Sequence, residues 1–165
     1  MKRVLLDTNV YGELAIDPAL EKLRERIING GNFVFYGADL IRKELRETPK
    51  AEKFGNRNLR IILLSMYDDV TKEHTLKITS EIVELADNFY KAYKELGGLK
   101  SKQDIISDFL IVSAAMVNGL DVIVSNDEKT MLTENAIKAY RLIADVKKKR
   151  LPDLIVYDKF RRWFV

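Results

Sequence analysis

The sequence predicts an α/β fold in which helices cover both faces of a central parallel sheet, a three-layer α/β/α sandwich formed by residues 1–165 as one domain. Three observations predict it. Short apolar runs alternate with longer amphipathic runs almost throughout the chain. The short runs are nearly all apolar rather than alternating, as strands buried on both faces are. The chain has 165 residues, 47% hydrophobic and 32% charged, which suits a single soluble core.

The elements follow in order. Arg3 to Leu6 reads as a buried strand running into the polar turn Asp7-Thr8-Asn9. Asp17-Pro18 supplies an N-cap and a first-turn proline for a helix with Leu20, Leu23, Ile27 and Ile28 on one face, stopped by Gly30-Gly31. Phe33 to Tyr36 is the next strand. A helix from about Asp39 turns Leu40, Ile41 and Leu45 inward and stops before Thr48-Pro49. Leu59, Ile62, Leu63, Met66, Tyr67 and Val70 recur at helical spacing, so Asn56 to Val70 is predicted as an amphipathic helix. His74 to Ile78 alternates weakly, as a third strand. Thr79-Ser80 then caps a long helix with Ile82, Val83, Ala86, Phe89, Tyr90, Tyr93 and Leu96 inward, ended by Gly97-Gly98. Gln103 to Asn118 is a further helix, Asp121 to Ser125 a strand, Thr133 to Lys149 a helix and Leu154 to Tyr157 a last short strand.

Composition excludes several chemistries. There is no Cys, which removes disulfide frameworks, thiolate zinc sites and cysteine nucleophiles, and the single His74 leaves little room for a histidine-based triad. The longest charge-free apolar stretch, Phe109 to Leu120, is too short to span a bilayer, so a cytoplasmic protein with no membrane partner is expected. Catalysis must run on carboxylates, hydroxyls or cations.

Four carboxylates stand out. In parallel sheets, ligands sit outside the carboxyl ends of the strands, and both Asp7 and Asp127 follow such ends. Each alone is also an ordinary turn or N-cap residue, but strands of one parallel sheet bring both to the same edge. Glu44 falls between Leu40 and Ile41 when projected at 100° per residue, inside the apolar stripe of its own helix. Arg42 and Arg46 point elsewhere on that helix. Asp108 lies in the most apolar helix of the chain, among Ile105, Ile106, Phe109, Leu110, Ile111 and Val112. Asp104, one turn earlier, is explained by the favourable field at a helix start, with an auxiliary ligand as its functional reading. Four gathered carboxylates repel one another unless a positive charge sits among them. Oxygen-only ligation suits one or two Mg²⁺ or Mn²⁺ ions, and such sites hydrolyse phosphodiesters.

The charge distribution suits a polyanionic partner. Net charge is only +3, but residues 40–60 hold seven Lys/Arg against three Asp/Glu, and residues 141–165 hold eight against three. Candidate nucleic-acid contacts are Arg42, Lys43 and Arg46 in the first lobe and Lys147 and Lys148 in the second. Solvated lysines account for the same pattern if no polyanion binds.

The motifs together resemble the PIN-domain family of metal-dependent nucleases, which includes the VapC-like toxins of toxin–antitoxin pairs and RNA-processing enzymes. Leu5-Leu6-Asp7-Thr8-Asn9 resembles the family's opening motif, and Glu44 within Ile41-Arg42-Lys43-Glu44-Leu45 its second acid. The run from Ser107 through Asp108 to Ala115 resembles the third motif, and Val124-Ser125-Asn126-Asp127 the fourth. The resemblance implies a Mg²⁺ or Mn²⁺ site on Asp7, Glu44, Asp108 and Asp127. It also implies RNA cleaved to leave a 5′-phosphate, a homodimer and, for a toxin, an antitoxin partner. Asn9 and Ser125 match positions that orient the acids or water in the family. The segment from Thr48 to Thr75 is longer than in compact toxins, and Glu128 adds an acid after Asp127.

The alternative from another class is a catalytically silent RNA-binding or protein-interaction module on the same fold. An aspartate-nucleophile phosphatase would need a second acid where Asn9 stands, and a dinucleotide-binding enzyme would need a Gly-x-Gly-x-x-Gly turn that the first strand lacks. His74 reads as a surface group, and Phe89, Tyr90 and Tyr93 as core, with a dimer interface as the other use of that face.

Overall fold

A computed structural model describes all 165 residues. Its centre is β1 (Lys2–Leu6), whose Val4, Leu5 and Leu6 are completely buried. On one side β1 pairs in parallel with β2 (Phe33–Ala38), and on the other with β6 (Val122–Val124). The edges are β5 (Thr75–Leu76) beside β2 and β7 (Asp153–Ile155) beside β6, giving the order β5-β2-β1-β6-β7, parallel throughout. The strands are apolar because both faces are covered.

The helices divide into two packed groups. One comprises α1 (Thr8–Ile16), α2 (Leu20–Asn29), α3 (Asp39–Arg46) and α4 (Leu59–Thr71). The other comprises α5 (Ser80–Glu95), α6 (Lys102–Val117) and α7 (Glu134–Lys147). In the second group Phe89, Phe109 and Tyr140 meet edge to face, with ring centroids 5.1 to 6.2 Å apart. All three are fully buried, each contributing about 1.5–3 kcal/mol of burial. This cluster fixes α5, α6 and α7 to one another. Between α5 and α6 the chain reverses at Gly97, whose φ of +93° favours glycine, and Gly98, where an added Cβ would lie 2.4 Å from the Tyr93 ring. The expected core role of Phe89 and Tyr93 holds, and neither is open to a second copy.

Val83 and Leu96, expected inward on the long helix, are exposed instead, and the structure departs from expectation in four further places. Asp7-Thr8-Asn9 is no open turn: Asp7 caps α1, whose Val10, Tyr11, Leu14 and Ala15 face the core. Asp17-Pro18 joins α1 to α2, with Ala19 as the N-cap, and Asp17 instead accepts hydrogen bonds from Arg161, Tyr157 and the Ala19 N–H. Residues 53–58 form a small antiparallel hairpin, β3 (Lys53–Phe54) and β4 (Arg57–Asn58), so the long helix starts at Leu59 rather than Asn56. The last strand ends at Ile155, and Tyr157–Arg161 is a short helix, α8. That helix and the residues after it bring Phe160 and Phe164 against Phe35. No helix is long and apolar enough to cross a membrane.

Candidate active site

Parallel register sets Leu6 opposite Val124, so the chain leaves β1 and β6 side by side. The Asp7 N–H donates to the Val124 carbonyl at 2.9 Å. The Asp7 carboxylate is buried and accepts three hydrogen bonds: Oδ1 accepts the Thr8 N–H at 2.8 Å, and Oδ2 accepts Ser125 Oγ at 2.7 Å and Asn9 Nδ2 at 3.1 Å. Burial nonetheless raises this carboxyl above its ordinary range, and the nearby Asp127 charge adds to the rise. Ser125, buried completely, also accepts the Asp127 N–H at 3.1 Å and so ties the two strand-end acids through one oxygen. Asn9 Oδ1 accepts the Asn126 N–H at 3.0 Å, locking the start of α1 to the turn after β6.

Glu44 lies half-buried between the buried Ile41 and Leu45 of α3 and accepts a hydrogen bond from the Thr8 hydroxyl. Its carboxyl is raised by burial first, then by the charges of Asp7 and Glu47. Asp108 lies half-buried in α6 and is pushed up to about 7. Burial is the main cause, followed by the charges of Asp127, Asp7 and Glu44, while a Thr130 hydrogen bond opposes the rise. Asp127 Oδ1 accepts the Lys129 and Thr130 N–H groups at 3.1 and 3.0 Å, and its Oδ2 lies 2.6 Å from Thr130 Oγ1. That same hydroxyl bonds Asp108 Oδ2. One hydroxyl oxygen thus bridges the two carboxyl groups.

The four acids thus come from the end of β1, α3, α6 and the turn after β6, and they repel one another. None takes part in any of the chain's ion pairs. The cluster is a concentration of negative charge that no arginine or lysine neutralises. As the side chains stand, no three acidic groups are arranged to hold a metal ion. In kind, the donor set fits a hard divalent cation: oxygen ligands only, mutually repelling and uncompensated.

None of the remaining sequence candidates bonds any of the four acids. Asp104 is exposed in the first turn of α6, where its N–H bonds the Ser101 hydroxyl, and it makes no bond to the four acids. Arg42 grips Asp68 with two bonds of 3.0 Å, which commits its guanidinium within the fold. Lys43 and Arg46 are exposed and unpaired. Lys147 and Lys148 stand at the far end of the 14-residue α7, about 20 Å along the helix from the Thr133 cap. His74 is exposed, its ring against Tyr36.

Sequence reasoning assigned no site role to Thr8, Asn126, Thr130 or Tyr140. Asn126 Oδ1 accepts the Tyr157 N–H at 2.8 Å, and Tyr140, fully buried, donates to the Met131 carbonyl at 2.9 Å. The only local signal for Thr130 is its place three residues after Asp127, where a hydroxyl can fold back on the acid that starts the turn.

By sequence the chain matches no protein-family model and no curated protein. Among solved structures it is similar to a chain of VapBC2 from Rickettsia felis bound to a DNA fragment from its promoter, with TM-score 0.59, 13% identity and coverage of 93% of this chain and 98% of that one. It is similar to a chain of DNA-bound VapBC from Salmonella typhimurium, with TM-score 0.57, 16% identity and coverage of 95% and 99%. A chain of FitAB bound to the IR36 DNA fragment gives TM-score 0.58, 14% identity and coverage of 93% and 94%. The likeness runs nearly end to end in each case, and the chain shares the three-layer α/β/α fold of those structures.

Proposed function

We propose that the chain is a VapC-like PIN-domain nuclease, a metal-dependent endoribonuclease whose partner is an antitoxin protein and which pairs with a second copy of itself. The observation that carries this reading is the convergence of Asp7, Glu44, Asp108 and Asp127, distant in sequence, into one uncompensated acidic cluster at the carboxyl edge of the sheet. The order of the four motifs and the shared fold support it.

In this reading the four carboxylates hold one or two Mg²⁺ or Mn²⁺ ions. Such ions supply Lewis-acid activation of water and offset the charge that develops on the phosphate. The chain's own residues prepare the place. Ser125 and Asn9 hold the Asp7 carboxylate toward Asp127, and Thr8 holds Glu44. A divalent cation bound there would favour the ionised form of Asp108, whose carboxyl burial otherwise holds above its ordinary range. Among the exposed cations, Lys43 and Arg46 are unpaired, and so are Lys53 and Arg57 of the hairpin, where Phe54 is 48% exposed directly across from Arg57. Exposed cations beside an aromatic face suit the phosphates and bases of single-stranded RNA.

The test is hydrolysis of RNA by the purified chain in Mn²⁺. Asp7→Asn and Asp108→Asn are each expected to lower kcat at least 100-fold; full activity in either variant would overturn the proposal. The silent-module reading draws on the same exposed cations, Lys43, Arg46, Lys53 and Arg57, without calling on the acids. It predicts RNA binding indifferent to Mn²⁺ and no cleavage by the wild type.

A further inference from the structure

We propose that Thr130 is a positioning residue that sets the separation of Asp108 and Asp127 and thereby the chain's affinity for a divalent cation. The inference rests on the metal-nuclease reading above and adds to it a residue that is not itself an acid. Asp108 belongs to α6 and Asp127 to the turn after β6, and one side-chain oxygen touches both: Thr130 Oγ1 is 2.6 Å from Asp127 Oδ2 and bonds Asp108 Oδ2.

Thr130 is itself held from three directions. Its N–H donates to Asp127 Oδ1 at 3.0 Å. Its carbonyl accepts the hydroxyl of Thr133, the N-cap of α7, at 3.1 Å. The next carbonyl, that of the fully buried Met131, accepts the Tyr140 hydroxyl at 2.9 Å from within the aromatic cluster shared with Phe89 and Phe109. The Thr130 hydroxyl is therefore anchored to the packed interior of α5, α6 and α7, not carried on a loose loop. Partners that orient metal-binding carboxylates commonly control affinity 10–100-fold. Without the hydroxyl, Asp108 and Asp127 are free to separate, each relaxing away from the other's charge.

Valine at this position keeps the branched shape and removes the hydroxyl; serine keeps the hydroxyl and removes the methyl group. The experiment is calorimetric titration of Mn²⁺ into the full-length wild type and Thr130→Val, Thr130→Ser and Thr130→Ala, with circular dichroism of each metal-free protein. Thr130→Val and Thr130→Ala are expected to bind Mn²⁺ 10–100-fold more weakly, and Thr130→Ser within about threefold of wild type. RNA cleavage by Thr130→Val should recover as Mn²⁺ is raised, so that the defect lies in the metal requirement and not in KM for RNA. Wild-type affinity in both Thr130→Val and Thr130→Ala would overturn this proposal alone, with the nuclease reading intact. A wild type that takes up no Mn²⁺ would overturn both. If Thr130→Val and Thr130→Ala are both unfolded without metal, Thr130 is structural and the proposal falls.

Discussion

At the scale of single residues, the protein keeps a carboxyl in an environment that favours its neutral form. Asp108 titrates at about 7 in the fold, against an ordinary value of 3.8. The sign of the consequence follows by linkage: the unfolded chain releases this proton near pH 4, while the folded chain holds it until about pH 7. The metal-free fold therefore loses stability from Asp108 as pH rises between those values, and carries the full penalty above pH 7. Asp108→Asn removes the penalty while leaving an amide able to donate to Thr130. In EDTA at pH 8 the variant should be more stable than wild type by roughly 1–4 kcal/mol, with the difference vanishing below pH 4. Denaturant melts at both pH values measure it; a variant less stable at pH 8 would contradict the assigned environment. A gain in stability bought with lost activity is the expected signature of a functional acid.

At the scale of elements, the hairpin is the feature that most extends the sequence reading. Lys53 and Arg57 make no ion pair, and the register sets Phe54 across from Arg57 on one face. The double variant Lys53→Glu/Arg57→Glu should weaken RNA binding about tenfold or more at low salt and flatten its salt dependence by about two charges, without changing Mn²⁺ affinity. Unchanged RNA binding would remove the hairpin from the substrate path. The hairpin was not legible beforehand because two-residue strands are too short to show periodicity, and the apolar signal that begins at Leu59 drew the predicted helix start back to Asn56. Helix α1 was missed for another reason: Asp-Thr-Asn after a strand serves equally as a turn or as an N-cap. Long elements with a continuous apolar face, α5 and α6 above all, were read to within a residue or two of each end.

At the scale of the whole molecule, the sheet order does the decisive work. Placing β1 between β2 and β6 brings the acid after β1 beside the acid after β6, and α3 and α6 deliver Glu44 and Asp108 to the same edge. The acids were legible because each breaks a local pattern: a carboxylate closing an apolar strand, or lying within an apolar helix face. Their supporting hydroxyls were not, since Thr8 and Thr130 break no pattern, and their contacts depend on how α1 and α7 sit against the strand ends. The second basic lobe shows the opposite failure. Lys147 and Lys148 have the charge that RNA requires, but α7 carries them about 20 Å along its axis from Thr133, a separation that composition does not encode. The measurement that bears most directly on the central claim is anomalous scattering from a crystal soaked in Mn²⁺. One or two Mn²⁺ peaks enclosed by Asp7, Glu44, Asp108 and Asp127 are predicted. Four acids left as they stand, with Mn²⁺ elsewhere or nowhere, would contradict the account.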